Sequence, residues 1–116
     1  MTNVQKATTI INQLGGNRFT AMTGSKNFLA LENGVRMDLT RNSSGANKLE
    51  ITLDGLDLYN MRFYKYTPGR LNKKTFAFTD DKVTEIMDYT GIYADQLQDL
   101  FTATTGLDTS LHIPGR

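Results

Sequence analysis

Apolar residues in this chain change their spacing twice. Near the start they recur every three to four positions, through the middle they alternate, and toward the end the wider spacing returns. A stripe at helical period must dock on something, and an alternating segment buries one face only. The two switches therefore predict an α+β fold: an N-terminal helix, an antiparallel sheet of four to five strands, and a C-terminal helix or helix pair packed on the sheet. The length of 116 residues suits a single domain spanning 1–116.

The clearest alternation is residues 57–65, Asp-Leu-Tyr-Asn-Met-Arg-Phe-Tyr-Lys. As a strand it places Tyr59, Met61 and Phe63 on a face built to bury. Asn60, Arg62, Tyr64 and Tyr66 fall on the other, mixing rings with positive charge. Residues 48–54 alternate as cleanly, with Leu49, Ile51 and Leu53 inward. Segments 27–32 and 35–40 read as a hairpin around Asn33-Gly34, a pair that favours a type I′ turn. That turn sets Leu31 opposite Arg36 and Ala30 opposite Met37. Phe28 and Ala30 then join Val35, Met37 and Leu39 in the core, while Leu29 and Leu31 face away. The expectation is that another element or a second copy in a homodimer covers these two leucines. Residues 19–22 and 76–78 suit short strands, and 41–47 and 67–75 are loops, the latter basic.

At the start, Thr2 and Gln5 form a capping-box pattern ahead of Val4, Ala7, Ile10, Ile11 and Leu14, with Gly15-Gly16 as the stop. Toward the end, Thr79 or Asp80 is placed to cap a helix carrying Val83, Ile86, Met87, Thr90, Tyr93, Leu97, Leu100, Phe101 and Thr104. Gly91 is expected to divide it, because glycine costs about 1 kcal/mol against alanine in a helix interior. The tail from 107 to 116, with Pro114-Gly115, is expected to fray.

Several chemistries lack their residues. There is no cysteine and one histidine, His112, so thiolate catalysis, disulfides and a zinc site have little to stand on. Asp80, Asp81, Glu85 and Asp88 read as a helix cap and a solvated face rather than a cation site. Gly15-Gly16-Asn17-Arg18 lacks the Gly-Lys-Ser/Thr end of a phosphate loop. No catalytic residue, metal ligand or cofactor is assigned. No run is long and apolar enough for a membrane span, and the first residues lack a signal-peptide core. A cytoplasmic setting is expected.

Two stretches are distinctive. Gln13-Leu-Gly-Gly-Asn-Arg-Phe-Thr-Ala-Met-Thr-Gly-Ser-Lys-Asn-Phe28 is followed by the Asn-Gly pair and Leu49-Glu-Ile-Thr-Leu53. Gly91-Ile-Tyr-Ala-Asp-Gln-Leu-Gln-Asp-Leu-Phe101 is followed by Thr105-Gly106. Together they resemble a small uncharacterised family encoded by bacteriophages and bacterial mobile elements. The resemblance covers about two thirds of the chain but not the basic loop or the tail. It implies an accessory protein in the cytoplasm of the bacterial host, and brings no functional residue with it.

Charge is uneven. Residues 1–46 hold five basic and two acidic side chains, 47–78 six and three, and 79–116 two and seven. A basic sheet region with interleaved rings suits nucleic acid, since cations displace counterions from phosphates and rings stack on bases. The candidates are Arg36, Arg41, Lys48, Arg62, Tyr64, Lys65, Tyr66, Arg70, Lys73 and Lys74. The rival expectation is a protein-binding inhibitor of a host factor, acting through Asp88, Asp95 and Asp99 of the acidic C-terminal region or through the Leu29/Leu31 strip.

Overall fold

The computed structural model describes residues 2–107 and 109. The fold is α+β: an N-terminal helix, a five-stranded antiparallel sheet, and a C-terminal helix packed on it. Helix α1 (Asn3–Leu14) begins at a complete capping box. The Thr2 hydroxyl accepts from the Gln5 N–H at 3.1 Å, and the Thr2 N–H donates to Gln5 Oε1 at 2.8 Å. Ala7, Ile10 and Leu14 form its buried stripe. Gly15 and Gly16, both at positive φ, turn the chain into helix α2 (Asn17–Thr23). The strand expected at 19–22 is thus a helix. Phe19, Thr20 and Thr23 are its inward residues, a 3.6-residue period too short to stand out in sequence.

The sheet runs β1 (Lys26–Leu31), β2 (Gly34–Asp38), β3 (Lys48–Leu53), β4 (Tyr59–Thr67) and β7 (Lys82–Ile92), in that spatial order. Between β4 and β7 the chain makes a separate two-stranded hairpin of β5 (Leu71–Asn72) and β6 (Ala77–Phe78). A single 3₁₀ turn, Ala94–Gln96, leads into α3 (Leu97–Thr105).

The helices cover one face of the sheet. Val35 and Met37 of β2, Leu49 and Ile51 of β3, and Tyr59, Met61 and Phe63 of β4 are buried there with Ile10, Leu14, Phe19, Leu97 and Phe101. The Phe101 ring meets Phe19 edge-on, with centroids 5.0 Å apart, and lies 6.3 Å from Phe63. Burying one such side chain stabilises the fold by about 1.5–3 kcal/mol, so these rings fasten both flanking helices to β4. Among the described residues no helix covers the opposite face, and that exposure is what makes a site there possible.

Two expectations need correction. The β1–β2 pairing is Leu29 with Arg36, Ala30 with Val35 and Leu31 with Gly34, two residues from the expected register. The turn is Glu32-Asn33, neither at positive φ, so it is not type I′. Gly34 lies inside β2, where a Cβ would collide with the Ile51 carbonyl oxygen of β3. Close approach, not turn geometry, demands this glycine. From Leu29 to the turn a shift of two keeps each side chain on its face, and Phe28 and Ala30 still pack against the core, so the inward set survives the error. Leu29 remains 46% exposed and Leu31 half-buried, so no element among the described residues covers the former.

The larger correction is at 82–92, expected as the first part of a helix and observed as strand β7. Its pairing with β4 is interrupted by two register shifts, opposite Tyr59–Met61 and Phe63–Tyr64. Each irregularity adds a residue and changes which side chains face inward. Strict alternation is lost: the residues that reach the core are Ile86, Tyr89 and Ile92, three apart, which mimics a helical spacing. Gly91, at φ +66° with open space where a Cβ would be, serves the irregularity opposite Tyr59–Met61 instead of dividing a helix.

Candidate nucleic-acid interface

The open face of the sheet carries a cleft of ≈ 440 Å³ lined by Arg36, Lys48, Arg62, Tyr64, Tyr66 and Val83. Strand pairing explains how residues distant in sequence meet there. Arg36 pairs with Glu50, and Glu50 with Arg62. Asp38 pairs with Lys48, and Lys48 with Tyr64. Directly opposed residues in antiparallel strands share a face, so these six side chains form two rows across β2, β3 and β4.

The rows alternate in sign, and the charges meet. Lys48 forms an ion pair with Asp38, whose other oxygen accepts from Asn27 Nδ2 at 2.7 Å. Arg62 pairs with Glu85 of β7, donating from Nε to Oε1 at 2.9 Å, and lies 3.6 Å from Glu50. Its guanidinium stacks 4.2 Å from the centroid of the Tyr64 ring. The Tyr64 hydroxyl donates to Glu50 Oε2 at 2.6 Å. Lys48 Nζ lies 5.9 Å from the Tyr66 ring centroid, and the Tyr66 hydroxyl donates to Asp81 Oδ2 at 2.6 Å. Among the described residues, Arg36 is the lining cation in no ion pair.

Ionisation follows these contacts. The bond from Asn27, then that from Lys48, holds the Asp38 carboxyl below its usual range. Arg62 does the same for Glu85, which in turn raises the guanidinium. Burial, reinforced by the bond to Glu50, pushes the Tyr64 hydroxyl up to about 12. The bond from Tyr66, then the Gly69 N–H, lowers Asp81. The cleft is therefore a fixed, internally neutralised frame with one uncommitted guanidinium at its margin.

The remaining candidates lie elsewhere. Lys65 is exposed on β4, where the expected alternation runs through consecutive buried residues Phe63 and Tyr64. Arg41 is exposed in the β2–β3 connection. Arg70, Lys73 and Lys74 all belong to the β5–β6 hairpin. Asp88 is an exposed residue of β7, whereas Asp95 and Asp99 are exposed at the start of the α3 region, so the acidic set is split between two elements. His112 lies outside the described residues. Of the acids in the cleft, Asp38 and Glu50 lie on the outward face that alternation in β2 and β3 predicts, whereas Glu85, expected on a helix, is brought there only by the pairing of β7 with β4.

Among the described residues, no group of three His, Cys, Asp or Glu side chains is placed to hold a metal ion, and no helix is long and apolar enough to cross a membrane. No protein-family model, curated protein or solved structure matches the chain.

Proposed function

We propose that this is a small non-enzymatic accessory protein of a bacteriophage or mobile element, working in the host cytoplasm by binding nucleic acid. The observation that carries this reading is the cleft's composition: five of its six lining residues are Arg36, Lys48, Arg62, Tyr64 and Tyr66. Arg36 is the phosphate contact in the cleft, and Tyr66, half-buried at its rim, presents a ring for a base. Lys48 and Arg62 exchange part of their pairing with Asp38, Glu50 and Glu85 for phosphate oxygens when a strand is bound. Arg41, Lys65, Arg70, Lys73 and Lys74 extend the positive surface beyond it.

Fluorescence anisotropy of a labelled oligonucleotide across a salt series tests the reading. The logarithm of affinity is expected to fall linearly with the logarithm of salt, and Arg36→Ala to reduce that slope by about 1. Absence of any salt-sensitive binding to DNA or RNA sinks it. The rival reading, an inhibitor that docks on a host protein or a second copy, draws on the exposed Leu29 at the β1 edge. A nuclease-resistant partner captured by wild type but not by Leu29→Asp, without nucleic-acid binding, favours that alternative.

A further inference from the structure

The β5–β6 hairpin joins exposed rings to exposed cations. Residues 70–81 are all exposed, including Phe76 at 78% and Phe78 at 76%. Proteins rarely leave two neighbouring phenyl rings in water without a use for them. Residues 68–79 contain Arg70, Lys73 and Lys74 and no acid. None of these three cations is in an ion pair among the described residues. The tip is nonetheless held in shape. Asn72 Oδ1 accepts from the Lys74 N–H at 2.9 Å, and the Phe76 N–H donates to the Asn72 carbonyl at 2.6 Å. This closes a four-residue loop, residues 73–76, beyond the paired Asn72 and Ala77. Phe76 closes it at φ +56°, a left-handed position that glycine or asparagine fills at least cost. A bulky aromatic kept there, and kept exposed, is a strained residue whose ring contributes nothing to the core.

We infer that this hairpin is a DNA-deforming arm: it seats in a groove of duplex DNA and inserts Phe76 between adjacent base pairs, while Arg70, Lys73 and Lys74 meet the flanking phosphates. A two-stranded ribbon has the cross-section to enter a DNA groove. Apolar wedges flanked by cations unstack base steps and kink the duplex. Phe78, opposite Leu71 on the ribbon, lies against the groove wall behind the wedge. The inference rests on the nucleic-acid reading above and adds the form of the ligand and the residue that distorts it.

The test uses the full chain and a short DNA duplex with 2-aminopurine at its central step and a fluorescent donor and acceptor at its ends. Saturating wild-type protein is expected to raise 2-aminopurine emission, as the base unstacks, and to raise energy transfer, as the ends approach. Phe76→Ala is expected to bind roughly 5- to 100-fold more weakly and to abolish both signals at saturation. Lys73→Ala/Lys74→Ala is expected to reduce the salt slope by about 2 while keeping both signals at saturation. Duplex binding without either signal, or an undiminished signal from Phe76→Ala, overturns the inference. Binding to single-stranded oligonucleotides but not to the duplex also overturns it and leaves the cleft reading standing. Binding to neither removes both.

Discussion

The cleft and the hairpin tip use the same residue types in opposite ways. In the cleft, Lys48 and Arg62 are engaged by Asp38, Glu50 and Glu85, and Tyr64 is buried beneath a guanidinium. At the tip, Arg70, Lys73 and Lys74 have no such partners among the described residues, and Phe76 and Phe78 are in water. The difference comes from topology. A residue inside a sheet acquires cross-strand neighbours chosen by register, whereas a hairpin tip has only its own sequence around it. A count of cations and rings treats the two regions as one basic surface. The contact geometry divides them into a frame that stabilises the fold and an arm that does not.

The sharpest way to break this division is alkaline unfolding. Tyr64 keeps its proton to about 12, against an ordinary 10.0 that the unfolded chain recovers. Its contribution is therefore fully present below pH 10 and is lost as pH rises toward 12. The limit of the effect is roughly 3 kcal/mol. A Tyr64→Phe variant is expected to remove that part of the alkaline dependence in chemical denaturation, whereas Phe78→Ala is expected to leave it intact. Equal pH profiles for all three proteins erase the distinction.

Truncation gives the next effect. Arg62→Ala leaves Glu50 and Glu85 facing each other and uncovers Tyr64, with an expected loss of about 1–2 kcal/mol, discounted because the guanidinium is partly solvated. Lys73→Ala/Lys74→Ala is expected to change stability by less than about 0.5 kcal/mol. Urea midpoints at neutral pH compare them directly.

Third, releasing a cleft cation ought to make the frame behave more like the arm. Glu85→Gln frees Arg62 for phosphate, and affinity for an oligonucleotide is expected to rise by less than about tenfold, with the salt slope steeper by up to 1. Lowering the pH works in the same direction. Glu85 sits below its ordinary 4.5, so the stability from its pair is present above that value and lost as pH falls through the folded-state pKa. Unchanged binding by Glu85→Gln means that Arg62 is only structural.

The smallest effect is at the tip itself. Phe76→Gly relieves the left-handed backbone and is expected to raise stability by about 0.5–1 kcal/mol, while DNA distortion disappears. A thermal-melt shift in the other direction shows that the ring packs in the free protein.

Much of the fold is written in local pattern. The capping box at Thr2 and the inward set of β3 and β4 follow from spacing that neighbouring residues alone establish. Strand β7 does not, because its two pairing irregularities are visible only against β4. One local signal was present: Val83, Thr84, Ile86, Thr90 and Ile92 are β-branched and suit a strand better than a helix. In the cleft, Arg62, Tyr64 and Tyr66 are recognisable from β4 alone. The acids that neutralise their surroundings come from β2, β3 and β7, and four strands must pair before that balance exists. Phe76 and Phe78 were legible only as a short strand, since exposure is a tertiary property.

Strand β7 ends the sheet, and one of its backbone edges has no neighbouring strand among the described residues. An edge of 11 residues invites further strands to add, the first step toward fibril growth. Here the two irregularities interrupt the straight ladder a newcomer needs, and Lys82, Glu85 and Asp88 place charge along it. The same distortions that disguise β7 as a helix in the sequence thus act as a stop on self-templating. Straightening them, for instance by deleting Gly91, is expected to convert this edge into a nucleus for amyloid-like deposition, readable as thioflavin T fluorescence.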